Sequence, residues 1–88
     1  MIFITLARFR GTPSRESMAK SDKLFAKMAE EGGKVLAAYW TLGRYDAVVI
    51  VEGKDEKAAM KALLRWGDIA STETLVAIPR EEALKLLE

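Results

Sequence analysis

Apolar and polar residues alternate along this chain with two different periods, which divide it into strands and helices. Short runs of apolar and β-branched residues are typical of strands, and they occupy residues 2–8, 34–40, 46–52 and 72–78. Apolar residues recur at helical spacing from about Ser14 to Glu31 and again from Asp55 to Gly67. A short last helix is predicted from Arg80 to Leu87, because Pro79 suits a first helical turn.

Local signals support these boundaries. Ser14 and Asp55 stand where a helix N-cap would accept a backbone N–H group. The pair Gly32-Gly33 follows the first helix, and glycine just past the last turn is a common helix stop. Gly43 supplies the flexibility that a hairpin between the second and third strands requires.

The resulting order is β-α-β-β-α-β followed by a short C-terminal helix. Each strand–helix–strand unit normally crosses over with right-handed connectivity. Two such units joined by a hairpin give a four-stranded antiparallel sheet with both long helices on one face. The sequence therefore predicts an α+β, ferredoxin-like fold that forms one domain over residues 1–88.

Both faces of the predicted sheet are apolar, whereas a sheet covered on one side only should alternate apolar and polar residues. The third strand carries Val48 and Ile50 on one side and Ala47, Val49 and Val51 on the other. The first strand is also apolar on both sides. One side carries Ile2, Ile4 and Leu6, and the other carries Phe3, Ala7 and Phe9.

In the second strand, strict alternation places Leu36 and Trp40 opposite Val35 and Tyr39. Two apolar faces need two covers, and the two long helices supply one. We therefore expect the second face to meet another subunit, giving a homodimer or higher oligomer with a dimeric α+β barrel. The alternative is that the C-terminal helix folds across this face and completes a monomer.

Composition excludes several kinds of site. The chain has no cysteine and no histidine, so disulfides, zinc–thiolate sites, cysteine nucleophiles and histidine general bases are absent. We expect no metal and no cofactor. Asparagine and glutamine are also absent, a depletion that resembles the composition of thermophile proteins.

Charge and hydropathy narrow the possible partners. Fourteen basic residues stand against thirteen acidic ones, so there is no positive excess to attract nucleic acid or an anionic membrane. No apolar run approaches the roughly 20 residues needed to span a bilayer. The first residues lack a signal-peptide pattern. We therefore expect a cytoplasmic protein without nucleic-acid or membrane partners.

The segment from Thr41 to Glu52 contains Gly43-Arg44-Tyr45-Asp46, followed by an apolar strand. This segment resembles the signature of the GYD-domain family, and the similarity extends over nearly the whole chain. The resemblance implies a ferredoxin-like subunit that pairs sheet to sheet into a dimeric α+β barrel. It implies no particular reaction, because no biochemical activity is established for the family.

Tyr45 and Asp46 are the most suggestive pair for chemistry. An aspartate beside a tyrosine at the start of a strand could orient a polar ligand, and in an apolar setting its pKa would rise towards that of a general base. Arg8 or Arg44 nearby would instead keep the carboxylate ionised. The structural alternative is that Asp46 accepts backbone N–H groups and that Tyr45 packs against a neighbouring strand.

Two further positions are candidates for a ligand pocket between paired sheets. Tyr39 and Trp40 must face opposite sides of their strand, so one of them could line such a pocket. Glu73 should face away from Thr72 and Thr74 and could enter the same space. Packing or ion pairing on the surface is the alternative for each of them.

Three functions remain open. The first is binding of a small organic ligand in a pocket bounded by Arg8, Tyr39, Tyr45, Asp46 and Glu73. The second is a cofactor-free isomerase or oxygenase with Asp46 as base and with Tyr45 or an arginine polarising the substrate. The third is a plain oligomerisation or partner-binding module. An RNA-recognition motif is rejected because the third strand offers Val48 to Val51 where stacking aromatics are needed.

Overall fold

The computed structural model describes residues 1–88 and has the predicted order of elements. The elements are β1 (Ile2–Phe9), α1 (Arg15–Glu30), β2 (Lys34–Trp40), β3 (Ala47–Glu52), α2 (Glu56–Leu64), β4 (Ala70–Ala77), α3 (Arg80–Leu84) and a closing 3₁₀ turn (Lys85–Leu87). The four strands form one antiparallel sheet in the order β2-β3-β1-β4. This arrangement confirms the ferredoxin-like α+β fold. None of the helices has both the length and the apolar character needed to cross a membrane.

The capping predictions are confirmed. The Ser14 hydroxyl accepts the N–H of Ser17, and the Ser17 hydroxyl accepts the N–H of Ser14 in return. Asp55 Oδ1 accepts the N–H of Ala58 at 2.9 Å and starts α2. Gly32 ends α1 with a φ of +95°, a left-handed conformation that glycine adopts without steric cost.

An ion-pair cluster joins the end of α1 to the end of α2. The two guanidinium nitrogens of Arg65 lie 2.6 and 2.9 Å from the two carboxylate oxygens of Glu31, and Lys61 Nζ lies 3.0 Å away. Hydrogen bonds from Arg65 and then from Lys61 lower the pKa of Glu31 from 4.5 to about 2. The cluster therefore favours the ionised form of Glu31 in the folded protein.

We expect Glu31→Gln to remove a pH-dependent part of the stability. Because the folded-state pKa is depressed, this contribution is present above pH 4.5 and is lost as the pH falls towards about 2. Urea denaturation of wild type and Glu31→Gln should show a constant stability gap near neutral pH that closes over this range. The exposed neighbour Glu30→Gln is the control, and a gap that stays constant down to pH 2 would contradict the prediction.

Both helices lie on one face of the sheet, here called the helix face. The residues of β1 and β3 on this face are Phe3, Thr5, Ala7, Phe9, Ala47, Val49 and Val51. Five residues are buried, and these are Phe3, Ala7, Ala47, Ala70 and Ser21. The interior is therefore small and is centred on the two middle strands.

Strand β2 departs from strict alternation. Its register shifts between Val35 and Ala37, so that Val35 lies opposite Val51 and Trp40 lies opposite Ala47. A β-bulge at Leu36 adds one residue to the strand. Beyond it, each side chain therefore points to the face opposite to the one that strict alternation predicts. The prediction that Val35 shares a face with Tyr39 is therefore wrong, because Val35 and Trp40 both lie on the helix face. Trp40 packs edge-on against Phe9 there, with ring centroids 5.5 Å apart.

The opposite face, here called the open face, has no helix over it. One row of paired residues crosses all four strands and is apolar throughout, running Ala37, Ile50, Ile4, Leu75. The next row runs Tyr39, Val48, Leu6, Glu73. Tyr39 is 60% exposed and Leu75 is 47% exposed. The C-terminal helix does not supply the cover, since its own leucines Leu84, Leu86 and Leu87 remain exposed.

The chain exposes more surface than a folded monomer of its mass. Its accessible surface is 6659 Å², whereas a monomeric protein of 9.8 kDa exposes about 5200 Å². The radius of gyration is 13.9 Å, compared with about 12 Å for a typical domain of this length. The excess over a monomer of this mass is roughly 1500 Å².

Candidate functional site

Three of the predicted site residues meet at one end of the open face. Glu73 lies on β4 opposite Leu6, which is on the open face. Arg8 lies two residues after Leu6 on β1, so the side chains of Glu73 and Arg8 both point to this face. Thr72 and Thr74 face the helices, as predicted from alternation. Tyr45 lies in the connection between β2 and β3 and reaches across β1 to Glu73.

The Tyr45 hydroxyl donates a hydrogen bond to Oε2 of Glu73 at 2.6 Å. The Arg44 guanidinium lies 5.6 Å from the centre of the Tyr45 ring, in the position of a cation–π contact. The Glu73 hydrogen bond, followed by partial burial, raises the pKa of Tyr45 above 10.0, while Arg44 and Arg8 oppose this effect. Tyr45 is therefore held protonated, as a hydrogen-bond donor rather than a base.

We expect Glu73→Gln to lower the pKa of Tyr45, because the substitution removes the carboxylate that accepts a hydrogen bond from the phenol and repels a phenolate. Only two tyrosines are present, so a Tyr39→Phe background leaves Tyr45 as the single titrating phenol. The measurement is an ultraviolet absorbance titration of Tyr39→Phe with and without Glu73→Gln. Identical titration curves would show that the Tyr45–Glu73 hydrogen bond is absent in solution.

Asp46 contacts the backbone of β1. Its Oδ2 accepts the N–H of Phe9 at 2.8 Å, and its own N–H donates to the carbonyl of Ala7 at 2.8 Å. Its carbonyl accepts the N–H of Thr41 at 2.8 Å and so closes the turn that contains Gly43, whose φ is +109°. Asp46 thus links the hairpin to the end of the first strand.

Tyr39 lies on the open face but at a distance from the Tyr45–Glu73 pair. It occupies the same row as Glu73, three strand spacings away, which corresponds to about 14 Å. In a single chain these residues border an open surface and do not enclose a pocket. Trp40, the neighbour of Tyr39, faces the helices, as strand alternation predicts.

A cavity that the sequence did not predict lies between the helices and the sheet. Its volume is about 160 Å³, and 19 of its 27 lining residues are hydrophobic. Small side chains on the inner face of α2, those of Ala58, Ala59 and Ala62, leave this space unfilled. Their helical spacing was the available signal, because three alanines on a core-facing stripe fill less volume than larger residues would.

The fold agrees with solved structures of other proteins. LrpC of B. subtilis superposes with a TM-score of 0.64 at 13% identity, over 88% of this chain and 49% of LrpC. This chain therefore spans about half the length of LrpC. The hypothetical protein PHS023 from Pyrococcus horikoshii superposes with a TM-score of 0.58 at 26% identity, over 89% of this chain and 90% of that protein.

A third structure, TTHA0845 from Thermus thermophilus, gives a TM-score of 0.54 at 26% identity, over 88% of this chain and 91% of that protein. A comparison with curated proteins gives no significant match. In sequence, the GYD domain matches residues 3–87, which is nearly the whole chain and includes Tyr45 and Asp46. This protein therefore belongs to the GYD-domain family.

Proposed function

We propose that this protein binds a small organic molecule as a homodimer, with the ligand held between two open faces. The observation that carries the proposal is the uncovered apolar face bordered by the Tyr45–Glu73 hydrogen bond. The ligand site comprises Arg8, Tyr39, Tyr45, Asp46 and Glu73, completed by the second subunit.

The distribution of residues on the open face suits pairing. Its apolar centre is bordered by Lys34 and Glu52 at one end and by Arg8 and Glu73 at the other. Stable interfaces commonly have an apolar centre and a polar rim. The surface in excess of a monomer, roughly 1500 Å² per chain, exceeds the roughly 800 Å² that each partner buries in a standard interface.

The charged groups indicate the class of ligand. The Glu73 carboxylate accepts the Tyr45 hydroxyl, and the Asp46 carboxylate accepts a backbone N–H group. Arg8 and Arg44 are both exposed and act on Tyr45 electrostatically. A guanidinium group binds carboxylates through paired hydrogen bonds. We therefore propose a small organic carboxylate, with its anionic group towards Arg8.

Binding is preferred to catalysis for two reasons. Asp46 Oδ2 accepts a hydrogen bond from the Phe9 N–H at 2.8 Å, so this carboxylate already has a structural role in fixing the end of β1. The raised pKa of Tyr45 also works against proton removal by its phenolate. The cofactor-free enzyme with Asp46 as base remains the alternative, and a pH–rate profile abolished by Asp46→Asn would favour it.

We expect at least one small carboxylate to raise the melting temperature of the wild-type protein. At a concentration ten times Kd, binding stabilises the folded state by about 1.4 kcal/mol, which corresponds to roughly 6–11 °C in a domain of this size. The measurement is a thermal-shift screen of aliphatic and aromatic mono- and dicarboxylates. Arg8→Gln should abolish the shift, whereas Arg15→Gln, an exposed arginine on α1, should retain it.

The screen also separates the remaining functions. A dimer that no carboxylate stabilises would overturn the ligand proposal and favour the oligomerisation module. A shift that Arg8→Gln retains would place the binding elsewhere. A monomeric wild-type protein at micromolar concentration would overturn the paired sheet.

A further inference from the structure

The cavity between the helix face and the helices has the properties of a second, independent binding site. Its volume is about 160 Å³, close to the roughly 150 Å³ of an apolar protein cavity that stays dry and binds benzene. Six aromatic residues contribute to its lining, and these are Phe3, Phe9, Phe25, Tyr39, Trp40 and Trp66. The rings of Phe25 and Trp66 meet edge to face, with centroids 4.8 Å apart.

The interior of the cavity carries hydroxyl groups but no free charge. Thr5 Oγ1 and Thr74 Oγ1 are 2.8 Å apart, so one of these hydroxyls donates to the other. The second hydrogen of the pair is then available to an acceptor in the cavity. Ser21, which is 8% exposed, lines the same space from α1.

The charged residues of the lining lie at its edges. They are Glu31 and Lys54, and both are exposed. Glu31 is held by Arg65 and Lys61, so its carboxylate is neutralised by protein groups. Because burying an unpaired charge is costly, an occupant of the interior must be neutral.

The cavity has a route of entry along β2. Trp40 lies on the helix face, yet it is 66% exposed, and Val35 on the same face is also exposed. The helices therefore leave the helix face of this edge strand uncovered. A small molecule can enter there without displacing a helix.

From these features we propose that the cavity binds a neutral, single-ring aromatic molecule of about the size of phenol. The ring contacts Phe3, Phe25 and Trp66, and its polar group hydrogen-bonds to the Thr5–Thr74 hydroxyl pair. Apolar lining with a few placed polar groups is the usual composition of a small-molecule site. This site lies on the opposite side of the sheet from the Tyr45–Glu73 pair.

The test uses phenol and benzene as matched probes. A Trp40→Phe background leaves Trp66 as the single tryptophan, so its fluorescence reports on the cavity wall. Both probes should give saturable fluorescence changes and raise the melting temperature. Thr5→Val in this background should weaken phenol binding roughly five- to tenfold, the value of one hydrogen bond, and leave benzene binding within about twofold. Thr74→Val repeats the test at the other hydroxyl.

A cavity-filling variant tests the location of the site. Ala62→Leu adds three carbon atoms to the inner face of α2 and should weaken both probes by more than about tenfold without lowering the melting temperature. Ala26→Leu adds the same atoms to an exposed position of α1 and should leave both affinities unchanged. Unchanged binding in Ala62→Leu, or no saturable response to either probe near its solubility limit, would overturn the proposal.

The phenol titration and the carboxylate screen give independent results. Loss of the carboxylate shift with retained phenol binding would refute the open-face site alone. The reverse result would refute the cavity alone.

Discussion

Leu75→Glu is expected to dissociate the protein into monomers, whereas Val76→Glu leaves its assembly unchanged. The two residues are adjacent on β4 and similarly exposed in the single chain, at 47% and 57%. They face opposite sides of the sheet, because Leu75 pairs with Ile4 on the open face and Val76 pairs with Phe3 on the helix face. The two variants therefore introduce the same residue into the same strand and differ in the face of the sheet that receives it.

The expected difference is large. In the proposed dimer the carboxylate introduced by Leu75→Glu has no positive partner in the apolar row, and an uncompensated buried charge costs about 3 kcal/mol or more. For a domain of this size, that cost lowers the melting temperature by more than about 10 °C. Val76→Glu places its carboxylate in solvent and should change stability by about 0.5 kcal/mol at most.

Light scattering and thermal denaturation check this prediction. The mass of Leu75→Glu should fall to that of one chain, and that of Val76→Glu should match wild type. Equal masses for the two variants would show that the open face does not form the interface. A larger effect of Val76→Glu would place the interface on the other side of the sheet.

Asp46→Ala is expected to destabilise the fold by about 2 kcal/mol, since a hydrogen bond to a charged group contributes roughly 1.5–3 kcal/mol. The substitution removes the hydrogen bond from the N–H of Phe9 to Oδ2 of Asp46, which links the hairpin to β1. Asp46→Asn keeps an acceptor oxygen at the same place and should cost about 1 kcal/mol or less.

Urea denaturation of these variants measures the effect, and Asp22→Ala, an exposed aspartate on α1, is the control. The three proteins separate a structural role from a catalytic one. If Asp46→Ala were as stable as the control, the carboxylate would not hold the strand in solution. Its role would then have to be sought in contact with a ligand.

Much of the fold follows from local chemistry. The strands are marked by β-branched runs, and the helices are bounded by Ser14, Gly32 and Asp55, each of which makes the contact that its residue type favours. The two apolar faces of β1 and β3 follow from alternation. These features depend on residues close together in sequence, so the sequence is sufficient to predict them.

The features that could not be predicted depend on distant residues. Nothing in the sequence shows that Tyr45 reaches Glu73, because β1 lies between β3, which follows Tyr45, and β4, which carries Glu73. The same is true of the choice of Phe9 as the partner of Asp46, since the sequence indicates only that Asp46 can accept backbone N–H groups. The cavity depends on how the alanines of α2 pack over the sheet, and local periodicity does not specify that packing.

The bulge at Leu36 bears on how sequences of related proteins are compared with this one. Because side chains alternate along a strand, one extra residue exchanges the two faces for every position that follows it. A relative with a regular β2 of the same length would present an indole to the open face where this protein presents the phenol of Tyr39, even if both chains shared the same aromatic pair. A one-residue gap opposite Leu36 therefore aligns two such strands by the face that each residue occupies, whereas an ungapped alignment pairs residues from opposite faces.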